Sequence, residues 1–303
     1  MALQKEIWVQ DIQETLHQGS EFILQGTDHS SMVSNKVVHI PQSGAMSTIE
    51  KNRSSLPATI SQRTDTELTY SLNEYTTDPV LITDLDELQT SYMKRQSVLR
   101  QHLDAMNERI GNEVAYEWSP SGSASLVLRT TGATTSELPN ATATGTRKLV
   151  TKEDISKMAR KLDLDNAPKN DRVLVMPTSM YYELFSTDAL IRNDFGRALN
   201  MVNGQATELF GMKIFVRPSV VLFNGDVAGV KKAVGSADAT TDCYGAIAFQ
   251  KSAVAQALGS IKVFADEDKP EYYGSVFSAM VMHGAKNLRS DNKGLVALAQ
   301  AIG

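Results

Sequence analysis

The sequence predicts an α+β protein in which a strand-rich arm leads directly into one long helix and then into a small α/β unit. β-branched residues cluster in segments 36–41 and 59–72, and the second segment alternates with period two. Apolar residues then recur at helical spacing over residues 84–118. An extended arm joined to a long helix is typical of a subunit that assembles with its neighbours, rather than of an enzyme.

The two β-branched segments predict an extended hairpin with a polar, turn-rich loop over residues 42–58. The loop has too few apolar residues to fold onto a core of its own. An isolated two-stranded ribbon is also marginally stable in water. We therefore expect the hairpin to lie on another subunit, with the charged residues Glu50, Lys51 and Arg53 making inter-subunit contacts.

The long helix is predicted to span the 35 residues from Asp84 to Trp118, a length of roughly 52 Å at 1.5 Å per residue. Acidic side chains in its first turn favour a start at Asp84, and Ser119 followed by a proline ends it. The stripe also fits a coiled-coil strand, although the flanking positions carry no regular charge pattern. The core positions predicted for this helix are Leu85, Leu88, Leu99, Leu103, Met106, Ile110 and Val114.

The α/β unit begins with a capped helix after Thr151, whose apolar positions follow at helical spacing. The continuous apolar run 173–176 fits a buried strand. A second helix is expected over residues 179–185, with Tyr182 and Phe185 packed against that strand.

The amino-acid composition limits the classes of protein to which this chain can belong. Hydrophobic residues make up 42% of the 303 residues and charged residues 21%, which is typical of a globular chain and not of a disordered one. The net charge of -5 disfavours tight binding of a phosphate backbone by the whole surface. The single cysteine, Cys243, excludes an intramolecular disulfide. No apolar run approaches the ~18 residues of a membrane span, so no membrane partner is expected.

Catalytic chemistry has little support in the sequence. The five histidines are scattered, and none has a metal-ligand spacing. The chain has no Gly-x-x-x-x-Gly-Lys phosphate loop, and Cys243 fits a small buried thiol better than a nucleophile. We therefore predict no catalytic residue, no cofactor and no metal, and a soluble enzyme is the least favoured class.

The order of these elements resembles the major capsid proteins of tailed bacteriophages, which have the Hong Kong 97-type capsid fold. The resemblance is one of architecture and covers most of the chain. Besides the arm, loop and long helix, the stretches that carry it are Arg172-Val-Leu-Val-Met-Pro-Thr-Ser-Met-Tyr-Tyr-Glu-Leu-Phe185, Leu209-Phe-Gly-Met-Lys-Ile-Phe-Val-Arg-Pro218, Gly245-Ala-Ile-Ala-Phe-Gln-Lys-Ser-Ala-Val254 and Tyr273-Gly-Ser-Val-Phe-Ser-Ala-Met-Val-Met-His-Gly-Ala285.

The resemblance implies a division of the chain. It gives an N-terminal arm, an extended β-hairpin loop, a peripheral domain that contains the spine helix and a linker, an apical α/β domain, and a return through the peripheral domain to a C-terminal apical strand. In that order, these parts cover residues 1–35, 36–75, 76–146, 147–222 and 223–303.

The resemblance also implies a function. The protein would self-assemble through hexamers and pentamers into an icosahedral shell that encloses double-stranded phage DNA without sequence-specific binding. Arg192, Asp194 and Arg197 would lie in a loop at the symmetry axis of the hexamer or pentamer, although a solvated surface loop explains them equally well. A separate scaffolding protein, a portal and a decoration protein would be further partners. The location would be the virion, after assembly in the host cytoplasm.

Two alternatives stay open at this point. Encapsulin-type bacterial compartments share the fold and enclose a protein cargo, and nothing in the chain alone excludes them. Some relatives join a loop lysine covalently to an asparagine of a neighbouring subunit, and Lys51 lies in the corresponding loop. An ordinary solvated lysine is the simpler interpretation of Lys51.

Overall fold

The computed structural model describes residues 21–44, 49–54, 56–57, 60, 62–83, 93–187, 208–225 and 228–303. Within these residues the chain is α+β, as predicted, with four β-sheets and three α-helices: α1 Met93–Trp118, α2 Lys152–Leu164 and α3 Thr178–Thr187. The strands are β1 Thr27–Asp28, β2 Val33–Ser34, β3 Val37–Gln42, β4 Thr66–Ser71, β5 Asn73–Thr76, β6 Val80–Thr83, β7 Val127–Arg129, β8 Thr134–Thr135, β9 Arg147–Lys148, β10 Arg172–Pro177, β11 Glu208–Leu209, β12 Met212–Arg217, β13 Val221–Phe223, β14 Lys231–Lys232, β15 Cys243–Gln250, β16 Val254–Lys269, β17 Gly274–Asn287 and β18 Leu295–Ala299.

The largest sheet has eight strands in the order β11-β12-β10-β15-β13-β14, and β18 joins β15 to β7. Every residue of β10 is buried, which confirms the predicted buried strand. β10 pairs in parallel with β12 and antiparallel with β15. The continuous apolar run is therefore explained by a central position in the sheet with both faces covered.

Helices α2 and α3 cover one face of this sheet. The side chain of Thr151 accepts a hydrogen bond from the backbone of Asp154, and the Asp154 carboxylate accepts one from the backbone of Thr151, so the predicted cap is present as a reciprocal capping box. The predicted packing of Tyr182 against the strand was wrong, because Tyr182 is exposed, and the side chain of Phe185 lies outside what the structure describes. The side chains that α2 and α3 contribute to this core are Ile155, Met158, Leu162, Met180, Tyr181 and Leu184.

The other face of the eight-stranded sheet packs in one hydrophobic core with α1 and the five-stranded sheet. Met106, Ile110 and Val114 are buried in this core, as the helical stripe predicts. Leu85 and Leu88 lie outside the described residues, as does the predicted start of the helix at Asp84. The side chains of Leu99 and Leu103 also lie outside what the structure describes, although both residues belong to α1.

The five-stranded sheet is built on the long hairpin of β16 and β17. β1 pairs with β16, while β5 and β6 pair with successive parts of β17. The predicted arm hairpin is confirmed as β3 and β4, which pair from Val37 with Ser71 to Gln42 with Thr66, and β2 extends this sheet to three strands. The second strand starts later than predicted, at Thr66 and not near residue 59.

One expectation from the resemblance needs correction. Residues 245–250 were assigned to the peripheral return, but they belong to β15, which pairs with β10 in the eight-stranded sheet. All but one residue of β15 are buried, so the strand needs cover on both faces, and the centre of the large sheet supplies it. The remaining domain boundaries stay predictions.

Candidate assembly surfaces

The loop between β3 and β4 is closed at its base by polar contacts. The backbone amide of Gly44 donates to Asp65 Oδ1 at 2.9 Å, and Arg63 forms an ion pair with the same carboxylate at 2.6 Å. The hydrogen bond from the Arg63 guanidinium is the main cause that lowers the pKa of Asp65 below its usual value, and the bond from the Gly44 amide adds to it. The two chain segments are therefore held together where the loop begins.

The three charged loop residues predicted to contact a neighbour have different surroundings. Glu50 and Arg53 form an ion pair with each other at 3.4 Å between a carboxylate oxygen and Nε. Lys51 is exposed and has no ion-pair partner among the described residues. Their inter-subunit role stays a prediction.

The same loop carries three apolar side chains that the sequence analysis missed. Ile49, Leu56 and Ile60 are 94%, 83% and 98% exposed. Each of them stands singly in a polar stretch, so Ile49 and Leu56 were counted as loop composition and Ile60 as part of the second strand. Branched apolar residues that a folded chain leaves almost fully exposed are candidates for burial against a partner.

The base of the arm hairpin is fixed to one end of the β16–β17 hairpin. Val38, Tyr70 and Leu72 pack on Ala255 and Ala257 of β16 in a small core. Burial, and secondarily the charge of Asp28, raises the pKa of Tyr70 to about 12. At the end of β3, the side-chain amide of Gln42 donates to the backbone carbonyl of Leu288, just after β17 ends. The loop therefore leaves the molecule beyond this end of the hairpin.

The opposite end of the β16–β17 hairpin is also exposed and apolar. Tyr272 and Tyr273 in its turn are 54% and 79% exposed. Phe264 of β16 and Leu81 of β6 are also exposed. The register pairs Leu81 with Val276 and Val276 with Asp266, two residues after Phe264. Leu81 and Phe264 therefore lie on one face of the sheet, the face opposite the buried Phe277. We call the exposed residues Leu81, Phe264, Tyr272 and Tyr273 the tip patch.

The C-terminal end of α1 is held by contacts from both sheets. The Lys231 ammonium donates to the backbone carbonyls of Tyr116 at 2.6 Å and Ser119 at 3.0 Å, and it lies 4.2 Å from the Tyr116 ring centroid. Trp118 Nε1 donates to the Ala255 carbonyl at 3.0 Å, and its ring packs against Phe249. Carbonyls in the last turn of a helix lack the usual i→i+4 partners. Lys231 adds a second donor to the Tyr116 carbonyl, which also accepts from the Ser119 amide at 3.2 Å, and supplies a donor to the Ser119 carbonyl.

A buried arginine, which the sequence analysis also missed, closes the linker after β8. Arg147 is fully buried and donates to the backbone carbonyls of Thr144, Thr146, Thr240 and Asp242. A guanidinium has five donors and no acceptor, so carbonyls from two loops satisfy it well. Nothing in the sequence distinguishes it from a surface arginine, because two of its partners, Thr240 and Asp242, lie 93 and 95 residues away along the chain.

The three residues predicted to reach the symmetry axis, Arg192, Asp194 and Arg197, lie outside the described residues. Cys243 is buried, and burial raises the pKa of its thiol, which disfavours the reactive thiolate. The described part of the chain holds no group of three or more His, Cys, Asp or Glu residues that could bind a metal ion. None of the helices that the structure describes is long and apolar enough to cross a membrane.

Solved structures that this chain resembles include phage capsids and a virus-like particle. The capsid structure of cyanophage P-SCSP1u matches with a TM-score of 0.62 at 20% identity, covering 90% of this chain and 86% of that chain. A chain from Mycobacterium phage Che8 matches with a TM-score of 0.61 at 19% identity, covering 88% and 85%. A virus-like particle from Pyrococcus furiosus matches with a TM-score of 0.55 at 11% identity, covering 97% and 99%.

The sequence itself identifies the family. The family described as phage capsid protein matches residues 12–300, which is nearly the whole chain. No curated protein matches the chain in sequence. The chain therefore belongs to the phage capsid protein family, and the Hong Kong 97-type fold predicted from the order of its elements is confirmed by the solved capsids that it resembles.

Proposed function

We propose that this protein is the major capsid protein of a tailed bacteriophage and that its copies assemble into a closed shell around the double-stranded DNA genome. The observation that carries the proposal is the family match over residues 12–300, which includes the loop, the long helix and both large sheets. The role is structural and not enzymatic. The protein is proposed to be located in the virion and to assemble in the host cytoplasm.

The proposed subunit contacts follow from the exposed parts of the fold. The loop between β3 and β4 is supported at its base but exposes three apolar side chains beyond it. We propose that this loop lies on a neighbouring subunit within hexamers and pentamers, and that Glu50, Lys51 and Arg53 lie in that contact. The loop containing Arg192, Asp194 and Arg197 is proposed to reach the axis of each ring. A scaffolding protein, a portal and a decoration protein are proposed as further partners.

A second candidate is a shell of the same fold that encloses a protein cargo, as in encapsulin-type compartments. The virus-like particle from Pyrococcus furiosus favours it, because that chain is matched over almost its whole length. The match of the phage capsid protein family to this chain favours the phage shell. The two candidates differ in what the particle contains.

The test is to purify particles and determine their content. The protein is expressed alone and with neighbouring genes of its source genome, and particles are separated by sedimentation and imaged by electron microscopy. Closed shells that hold nuclease-protected double-stranded DNA after phage infection support the proposal. Shells that hold a single protein cargo and no DNA would favour the compartment. A 33.1 kDa monomer under all salt and scaffold conditions would contradict both.

A further inference from the structure

Three polar side chains from distant parts of the chain meet at one buried oxygen atom. Asp242, which precedes β15, has a side chain that is only 1% exposed. Its Oδ2 accepts a bond from the Lys232 ammonium of β14 and another, at 2.8 Å, from the side-chain nitrogen of Asn140 in the linker between β8 and β9. The backbone amide of Ala239 donates to the same oxygen at 2.9 Å. A lysine amine and an asparagine carboxamide are therefore held side by side.

The orientation of the Asn140 carboxamide is fixed at both of its ends. Its carbonyl oxygen accepts bonds from the backbone amides of Thr142 at 3.1 Å and Ala143 at 2.8 Å. Its nitrogen donates to Asp242, so an exchange of oxygen and nitrogen would lose all three bonds. Two amide donors on a carbonyl oxygen stabilise the negative charge that this oxygen gains when a nucleophile attacks the adjacent carbon. The Asn140 carbonyl carbon is therefore prepared for attack.

The Lys232 side chain is the nucleophile within reach of this carbon. Because Lys232 Nζ and Asn140 Nδ2 bond to the same oxygen, the two nitrogens lie at most about 6 Å apart, the sum of two ordinary hydrogen bonds. Burial acts to raise the pKa of Asp242, but the bond from Lys232 and the two amide bonds outweigh it and lower the pKa below its usual value. Asp242 is therefore an ionised carboxylate that can take a proton from the ammonium, and burial favours the neutral pair that results.

We propose that Lys232 and Asn140 join in an intramolecular isopeptide bond, with Asp242 transferring the protons. The Lys232 ammonium gives one proton to the Asp242 carboxylate, and the free Nζ attacks Asn140 Cγ. Asp242 passes that proton to Nδ2 and takes a second proton from Nζ. The bond between Cγ and Nδ2 breaks and ammonia leaves. The product holds one new amide N–H and a protonated Asp242, so atoms and charge balance without a further reactant.

The bond lies within one chain and does not depend on the proposed shell function. Its residues are outside the loop between β3 and β4, so it is separate from any inter-subunit bond of Lys51. It joins the linker to β14, two parts of the chain that the structure already brings together. The backbone amide of Thr144 and the Arg147 guanidinium both donate to the Thr240 carbonyl. A covalent link between two such segments restricts the unfolded chain, so it stabilises the folded subunit.

Mass spectrometry of the purified full-length protein tests the inference. The intact mass is expected to be lower than the sequence mass by one ammonia. Trypsin does not cleave after an acylated lysine, so residues 130–147 and 232–251 should appear as one branched peptide. Lys232→Arg keeps a positive charge next to Asp242 and should give two separate peptides. Asp242→Asn keeps both reacting groups and should also lose the branched peptide. Lys213→Arg, at an exposed position on β12, is the matched control and should retain it.

Three results would overturn the proposal. Separate peptides and the full sequence mass in the parent protein would leave Lys232 and Asp242 as an ordinary buried ion pair. A loss of ammonia without the branched peptide would belong to another asparagine. A branched peptide at full yield in Asp242→Asn would contradict the proton transfer assigned to Asp242. None of these results bears on the shell function, which the content of the particles tests.

Discussion

At the scale of single residues, the structure is held by a few buried polar groups with partners far away in sequence. Arg147 donates hydrogen bonds to carbonyls of two loops, and Lys231 donates to the carbonyl of Tyr116 near the end of α1. Trp118 donates a hydrogen bond to the Ala255 carbonyl of β16. Each of these side chains donates to a backbone carbonyl in a distant part of the chain. The loss of such a partner costs more than the bond itself contributes, because the remaining group stays desolvated.

The first prediction concerns Lys231. Lys231→Met keeps most of the apolar stem but removes the ammonium that the carbonyls of Tyr116 and Ser119 accept from. We expect the free energy of unfolding to fall by about 1–3 kcal/mol. Urea denaturation of the unassembled subunit measures the change. Lys213→Met, an exposed lysine on β12, is the matched control and should change stability little. Equal stability of the two variants would show that the cap contributes nothing.

The second prediction concerns Glu183 on α3. Burial raises the pKa of this carboxyl from 4.5 to about 7, and a bond from the Val150 amide only partly offsets the burial. Since the folded state holds the proton more tightly, the stability due to Glu183 is present below pH 4.5 and is lost as pH rises through about 7.

Glu183→Gln should therefore be more stable than the parent at pH 8, by up to about 3 kcal/mol at ~1.4 kcal/mol per pKa unit, and about equal to it at pH 4.5. Thermal or urea unfolding at the two pH values measures this difference. Glu208→Gln, which changes an exposed carboxylate on β11, is the control and should show no such pH-dependent gain. An effect of Glu183→Gln that is the same at both pH values would contradict the assignment.

At the scale of elements, α1 links the two large sheets, because its buried stripe belongs to the core that both sheets share. Met106, Ile110 and Val114 follow the helical period, so the local pattern and the tertiary packing agree over the described half of the stripe. The arm hairpin behaves differently. Its base is packed in a small core, while its loop has polar contacts only with itself among the described residues.

The third prediction tests the helix. Ile110→Asp puts an unpaired charge in the shared core and should cost on the order of 3–5 kcal/mol, a large part of a domain's ordinary stability of about 5–15 kcal/mol. We expect little soluble folded protein, measured by circular dichroism and size exclusion after expression. Asp104→Ala, on an exposed position of the same helix, should behave like the parent. If both variants are tolerated, the stripe is not a core element.

At the scale of the whole molecule, the described residues expose two apolar surfaces. The loop and the tip patch are apolar, exposed and about 45 Å apart along the β16–β17 hairpin at ~3.3 Å per residue. This arrangement agrees with membership of the phage capsid protein family.

The fourth prediction separates folding from assembly. Gln42 and Thr66 face each other in the hairpin register, so the residues between them can be replaced by Asn-Gly to give a two-residue turn. The shortened subunit should fold with the same circular dichroism spectrum, because closing a short loop costs little entropy. Electron microscopy should show no closed shells. Shells of normal number and thermal stability would refute an assembly role for the loop.

The sequence by itself determined the α+β class, the period of α1, the cap at Thr151, the buried strand β10 and the arm hairpin. These features depend on residues that are close together in the chain, and the period of apolar side chains reports them directly. The order of the elements was also enough to identify the family that the comparison confirmed.

The tertiary structure alone decided which strands meet and which side chains stay exposed. The sequence could not place β15 beside β10 or give Arg147 and Lys231 their carbonyl partners, because these contacts join residues many positions apart. It also counted Ile49 and Leu56 as ordinary loop residues and placed Ile60 in the second strand of the hairpin. The structure shows that these three side chains are exposed and that the hydrophobic cores pack without them. Burial depends on the whole folded molecule, so a local pattern could not give it.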